Sequence, residues 1–285
     1  MDPFYGYAFD ALSYMRIPEA HALPEIGKNT AGKGVTIALL DAGFNLSHEV
    51  FAHFDSTTVV AARDYVAGLI DTTVDFDSVV RNEPGDSPDQ ESHGTSVLST
   101  IAAYKPGKLV GVAPFCHFIL AKTEQTQARV DSLWKESETV AEEDNWIAAL
   151  EWAVDTLKAD IVSSSLGYRY KFTDGRQPYS IDALNGDSLA ITRAANIAVQ
   201  KGTVVVQAVG NEGDSGTSSL AAPADGKNVL AVGAVDANGI LAYYSSLGPT
   251  SDGRVKPDVT APGHSSAVTV GNADQYFLNA QGTSF

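Results

Sequence analysis

One cysteine, Cys116, stands among 285 residues, so no disulfide can close within the chain. It sits in the apolar run Val112-Ala113-Pro114-Phe115-Cys116, which points to packing rather than to a reactive thiol. Basic residues are scarce: 19 Lys and Arg face 35 Asp and Glu, a net charge of −16. Such a chain repels a phosphate backbone, which argues against a nucleic-acid partner. Long hydrophobic runs are also missing. None approaches the roughly 18 apolar residues that cross a bilayer, so no membrane insertion is expected. The opening Met1-Asp2-Pro3-Phe4-Tyr5-Gly6-Tyr7 has neither the basic segment nor the apolar core of a signal peptide. There is no repeat of fixed period and no low-complexity tract.

What remains is ordinary globular composition. Hydrophobic residues make up 44% and charged residues 19%, enough to bury the core of one large α/β domain or two small ones. The first 33 residues are mixed and polar, with aromatics suited to packing on a domain surface. Then comes Val35-Thr36-Ile37-Ala38-Leu39-Leu40, apolar almost throughout rather than alternating, as in a parallel strand covered on both faces. It ends at Asp41-Ala42-Gly43. Residues 68–92, rich in Asp, Pro and Gly, read as a long surface loop. A helix is expected from His93 through Val97, Leu98 and Ile101, and a buried strand from Val110 to Leu120.

Glu142-Glu143-Asp144 place three carboxylates at a helix start, where the dipole favours them. Trp146, Leu150, Ala153, Val154 and Leu157 then share one helical face. Ile161–Leu166 reads as a strand ending at Gly167, and residues 188–200 as a helix stopped by Gly202. Val204-Val205-Val206 opens a strand that ends at Gly210-Asn211, and Val229–Val235 is one more. The alternation of strand and helix predicts a doubly wound parallel sheet, whose ligands bind at the carboxyl ends of its strands. Asp41, Gly167 and Asn211 all fall at such ends.

Peptide hydrolysis by a serine needs an activated hydroxyl, a base for its proton, a carboxylate to hold the base, and donors for the oxyanion. Ser284, His93, Asp41 and Asn211 are the respective candidates. Taken singly, each has a structural reading: Asp41 as a cap or turn residue, His93 as a helix-start residue, Asn211 as a turn residue tolerant of positive φ.

Together they carry a resemblance. Asp-Ala-Gly at 41–43, His-Gly-Thr at 93–95, Gly-Asn-Glu-Gly at 210–213 and Gly-Thr-Ser at 282–284 resemble the four signature blocks of the subtilases, in the order known for that family. The resemblance runs from about residue 31 to the last residue. It includes Val110-Gly111-Val112-Ala113-Pro114, Ala159–Gly167, Ser245-Ser246-Leu247-Gly248-Pro249 and Lys256–Gly263. It implies an α/β, subtilisin-like three-layer fold, with a mostly parallel central sheet flanked by helices. Residues 34–285 form the catalytic domain, C-terminally incomplete, and residues 1–33 a segment packing on its surface.

It also implies roles. Ser284 attacks the scissile carbonyl, His93 carries its proton, and Asp41 holds the His93 tautomer. Asn211 and the Ser284 N–H bind the oxyanion. Ser165, Leu166 and Gly167 bind substrate backbone and form one pocket wall, faced by Ala208, Val209 and Gly210. The partner is a peptide or protein substrate, and the chemistry requires no cofactor and no metal. Family members often bind structural calcium, and the carboxylates of residues 71–91 could do so, though their spacing matches no defined calcium loop. An extracytoplasmic or secreted location is the family expectation.

Two departures stand out: Ala42 replaces the usual Thr or Ser, and Phe285 the usual Met. In the family the nucleophile opens a long buried helix, and the chain stops at Phe285. The 285-residue chain is therefore expected to be inactive by itself and to expose an apolar groove. The alternative is a truncated or non-catalytic subtilase-like domain that binds peptide without cutting it. A nucleotide-binding α/β domain is disfavoured, because Asp-Ala-Gly-Phe stands where a phosphate loop would follow the first strand. His21, His48, His53, His117 and His264 match no block and are expected to be surface or packing residues.

Overall fold

The computed structural model describes residues 2–66, 79, 86–130, 133–136, 138–170, 172–269 and 275–285. Its helices are α1 Phe9–Tyr14, α2 Ile17–His21, α3 Ser92–Ala102, α4 Val140–Glu151 and α5 Ala190–Gln200. Its strands are β1 Thr36–Asp41, β2 Val59–Asp64, β3 Tyr104–Lys105, β4 Leu109–Val110, β5 His117–Lys122, β6 Gln127–Val130, β7 Leu133–Glu136, β8 Ile161–Ser164, β9 Val204–Ala208, β10 Leu230–Val235, β11 Val259–Pro262, β12 His264–Thr269 and β13 Tyr276–Gln281. Seven of them form one sheet in the order β11-β10-β9-β8-β1-β5-β2, and every pairing in it is parallel. The pairs β3–β4, β6–β7 and β12–β13 are small antiparallel hairpins.

The period of two along β1 sorts its side chains onto two faces. Ala38 and Leu40 join the core beneath α4 and α5, with Ile119, Val162, Val205 and Trp146. Ile37 and Leu39 join the other core, beneath α3, with Val97, Leu98, Phe118 and Leu120. Helices therefore cover both faces, giving the three layers of a subtilisin-like α/β fold. The same alternation carries Asp41, the last residue of β1, onto the α3 side.

The α4 start is built more fully than its charges suggest. Thr139 caps it, and the Glu142 carboxylate returns to the Thr139 amide at 2.6 Å, a capping box. Trp146, Leu150, Ala153 and Val154 are buried along the expected face. The expected strand from Val110 to Leu120 is divided. The amides of Gly111, Val112 and Ala113 donate to the carbonyls of Ala103, Thr100 and Ile101, closing the end of α3 instead of joining the sheet. Only β4 and β5, on either side, are extended. The strand expected over Ile161–Leu166 stops at Ser164. The strands β2 and β11 at the two edges, and the β12–β13 hairpin, had no sequence expectation.

One face of the sheet is less covered between β8 and β9. An apolar cavity of about 430 Å3 lies there, lined by residues such as Leu12 of α1, Ile37, Ile161, Val206, Ala261 and Phe285. No described helix is long and apolar enough to cross a membrane.

Candidate active site

Asp41 is 1% exposed, and its Oδ1 lies 2.8 Å from Nδ1 of His93, the second residue of α3. The same oxygen accepts the Ala42 amide at 2.7 Å. Oδ2 is buried without a donor among the described residues. This orphan is the structural side of the departure at position 42, where alanine brings no hydroxyl to the carboxylate. His93 has a side chain 35% exposed. Burial works against its charged form, but the Asp41 carboxylate outweighs burial by charge and by hydrogen bond, so the His93 pKa is raised above its usual 6.5.

Two glycines let this pair form. Gly43 sits at φ +125, a backbone region that side chains disfavour, as the chain turns off β1. Gly94 lies against that turn so closely that a methyl there would stand 2.2 Å from the Gly43 carbonyl oxygen.

Asn211 follows β9. The Thr283 amide donates to its Oδ1 at 2.9 Å, and the Thr283 hydroxyl at 3.1 Å. Because Thr283 supplies two donors, the amide oxygen is the atom turned toward it, and the Asn211 Nδ2 faces away. Neither Nδ2 nor the Ser284 backbone N–H has an acceptor among the described residues.

Ser284 itself is held elsewhere. Its hydroxyl donates to the Ser165 carbonyl at 3.2 Å, and the Ser165 hydroxyl donates back to the Ser284 carbonyl at 2.9 Å. No hydrogen bond joins Ser284 to His93 in this structure; the Phe285 ring lies 5.9 Å from the His93 ring. The structure thus brings together Asp41 with His93, and Ser284 with Ser165, and sets Asn211 beside them through Thr283. A cavity of about 140 Å3 is lined by Ser165, Ala208, Thr283 and Ser284, among others.

The two segments proposed as walls, residues 165–167 and 208–210, are stitched by a residue that sequence reading passed over. Gln207, fully buried, donates its amide to the Leu166 carbonyl and to the Ala208 carbonyl. A polar residue closing an otherwise apolar strand run is the signal that would have flagged it. Behind the walls, Ala221 donates its amide to Val209 O at 3.1 Å, and Tyr168 pairs with Ala222.

Residues 71–91, whose carboxylates the family resemblance makes able to bind calcium although their spacing matches no defined calcium loop, lie largely outside the described residues. Among the described residues one carboxylate group could hold a cation: Glu124, Glu138 and Glu142, each offering an oxygen within 4.8 Å of the others. Glu142 already spends its oxygens on the Gln125 and Thr139 amides. Burial, then the charge of Glu142, pushes Glu124 well above the usual carboxylate range and Glu138 up to about 8.

Residues 32–285 match the subtilase family. The chain belongs to that family. Serine protease AprX of Bacillus subtilis (strain 168) is 30% identical over 256 residues, covering 83% of this chain and 48% of that protein. Subtilisin NAT of Bacillus subtilis subsp. natto is 30% identical over 255 residues, covering 88% of this chain and 51% of that protein. The chain thus spans about half the length of these two subtilase relatives. Among solved structures, the prenylagaramide maturation protease PagA superposes with a TM-score of 0.60 over 90% of this chain and 71% of its own, at 21% identity. The protease domain of PatA gives the same TM-score over 90% of this chain and 75% of its own, at 20% identity. The subtilase fold is common to all three.

Proposed function

We propose that this chain carries the catalytic site of a serine endopeptidase that cuts extended peptides through an acyl-enzyme. The observation that carries this reading is the Asp41–His93 pair, 2.8 Å apart, with the ring of Phe285, the residue after Ser284, 5.9 Å from the His93 ring. His93 takes the Ser284 proton as the hydroxyl oxygen adds to the scissile carbonyl. The oxyanion that forms is met by Asn211 Nδ2 and the Ser284 N–H. His93 then returns the proton to the leaving amine, and water repeats the sequence to release the acyl group. Asp41 keeps the His93 Nδ1 proton in place and stabilises the imidazolium. Each role is filled by a side chain or a backbone donor, and none is assigned to a metal.

An extended peptide adds as a strand along Ser165–Gly167, with the side chain before the scissile bond between that segment and Ala208–Gly210. To do so it must displace the Ser284 hydroxyl from the Ser165 carbonyl, which frees the nucleophile to turn to His93. Catalytic hydrogen bonds of this kind often close only when substrate binds. The subtilisins among the relatives support an extracytoplasmic location. The major intracellular serine protease of Bacillus subtilis, 27% identical over 270 residues, is a counter-example to carry into any localisation experiment.

The test is covalent labelling of the full-length protein with a fluorophosphonate. Labelling that maps to Ser284 and vanishes in Ser284→Ala supports the reading. Labelling that persists in Ser284→Ala removes Ser284 as nucleophile. Peptide binding with no labelling would favour the second reading, a non-catalytic peptide-binding domain, which the Ser284–Ser165 bond also fits.

A further inference from the structure

Arg169 is 4% exposed, yet no carboxylate lies within ion-pair reach of it among the described residues. The buried Lys122 has Asp64 and Asp86 at 3.0 and 2.8 Å, and Lys256 has Asp258 at 2.7 Å. Arg169 instead spends Nη1 on two neutral acceptors, the carbonyls of Ser218 at 2.5 Å and Leu220 at 3.0 Å. Its guanidinium lies over the Tyr170 ring at 4.5 Å, and its Nε is buried without a partner. Burying a charge this way is unfavourable unless the hydrogen bonds it makes are needed. A methionine would fill similar space without that penalty, but could hold neither carbonyl.

Those carbonyls belong to an unusual stretch. Ser218 has φ 60, in the left-handed region that non-glycine residues seldom occupy. Its amide and that of Ser219 donate to Gly248 O at 3.0 Å and Leu247 O at 2.8 Å, so one side of the stretch is fixed by loop backbone. Arg169 fixes the other. The stretch leads into Ala221, whose methyl lies between the two pocket walls. A methyl added at Gly167 would fall 2.8 Å from the Ala221 Cβ, and one added at Gly210 would fall 3.3 Å from it. Both wall glycines thus face the same alanine, which closes the gap between them.

We propose that Arg169 is a positioning residue for substrate selection: by holding the carbonyls of Ser218 and Leu220 it sets where the Ala221 methyl stands, and so the depth of the pocket. Arg169 touches no reacting atom. It acts through residues 218–221. The proposal rests on the peptidase reading for its consequence, but its physical basis can be measured without activity.

The experiment compares Arg169→Met with the parent full-length protein in two ways. The first is hydrogen exchange at the Ser219, Ala221 and Ala222 amides. The clamp predicts exchange at least tenfold faster there in Arg169→Met, with the β1 and β8 amides unchanged. The second is kcat/KM on peptides that differ only in the residue before the scissile bond, as Ala, Leu or Phe. The ratio of Phe to Ala is expected to change at least tenfold, mainly through KM, with Ser284 labelling as the control for the triad. Arg169→Lys, which keeps the charge and reaches one carbonyl, should fall between the two, and it serves if Arg169→Met does not fold. Unchanged exchange at the three amides overturns the clamp. Faster exchange with an unchanged Phe-to-Ala ratio overturns the selection role, as does an equal fall of all three substrates together with labelling. If Ser284 is not labelled in the parent protein, the peptidase reading fails, and the exchange result still decides the clamp.

Discussion

Replacing Gly94 by alanine tests the site at its tightest joint. Glycine inside a helix costs up to about 1 kcal/mol relative to alanine, so propensity alone predicts that Gly94→Ala stabilises α3. The packing predicts the reverse. The new methyl would stand 2.2 Å from the Gly43 carbonyl oxygen and 3.1 Å from both Cβ and Oδ1 of Asp41. An unstrained carbon–oxygen contact needs about 3.3 Å, so α3 or the 41–43 turn must give way by about 1 Å. The obstructing atoms are backbone and a buried carboxylate, neither of which can swing aside. Overpacking of this kind costs about 1–3 kcal/mol, enough to cancel the propensity gain and reverse its sign. The functional cost is larger. A separation of about 1 Å would stretch the 2.8 Å Asp41–His93 bond past hydrogen-bonding distance. Misplacement on that scale is worth about 10² in rate. The expected outcome in the full-length protein is a kcat about a hundredfold lower with KM little changed, and a lower melting temperature. The acid limb of kcat/KM should also move to lower pH, because His93 loses the carboxylate that raises its pKa. A Gly94→Ala protein as stable as its parent, with activity within threefold, would refute the reasoning.

Other outcomes follow from the same geometry. Asn211→Ala should lower turnover by about 10²–10³, the loss known for an oxyanion-hole donor of this family, while leaving Ser284 labelling detectable; a loss as deep as that of His93→Ala with the fold intact would contradict the division of roles. Asp41→Asn and His93→Ala should each remove several powers of ten in kcat, and the double variant little more, as in other subtilase triads; additive losses would argue against a single unit. Glu138→Gln should flatten the pH dependence of stability. The Glu138 carboxyl titrates near 8 in the folded chain against an ordinary 4.5, so between those values the folded state holds the extra proton. Stability from this group is thus fullest below about pH 4.5 and falls as pH rises toward 8, by up to a few kcal/mol. Denaturant titrations at pH 5 and pH 8 measure the difference, and an unchanged slope in Glu138→Gln would sink the assignment.

Sequence alone determined the elements whose chemistry is local. The unbroken apolar run before Asp41 is a parallel strand buried on both faces. His93 stands in the first turn of a helix, and Asp41, Gly167 and Asn211 fall at or just past strand ends, because a parallel sheet gathers its carboxyl ends on one edge. The three carboxylates at 142–144 marked a helix start, although the capping box with Thr139 was not read from them. Tertiary structure decided the rest. Val110–Leu120 is as apolar as a strand, yet its middle amides bind the end of α3, a partner that periodicity cannot reveal. The strands β2 and β11 were missed because edge strands are half exposed and carry a weaker pattern. Gln207, Ala221 and Arg169 matter through atoms 12 to 51 residues away in the chain, bonded to Leu166, Val209, Ser218 and Leu220. The same holds at the nucleophile. The sequence names Ser284, but only the packed chain shows its hydroxyl on the Ser165 carbonyl rather than on His93. Residue type sets what a group can do, and three-dimensional packing sets which neighbour it does it with.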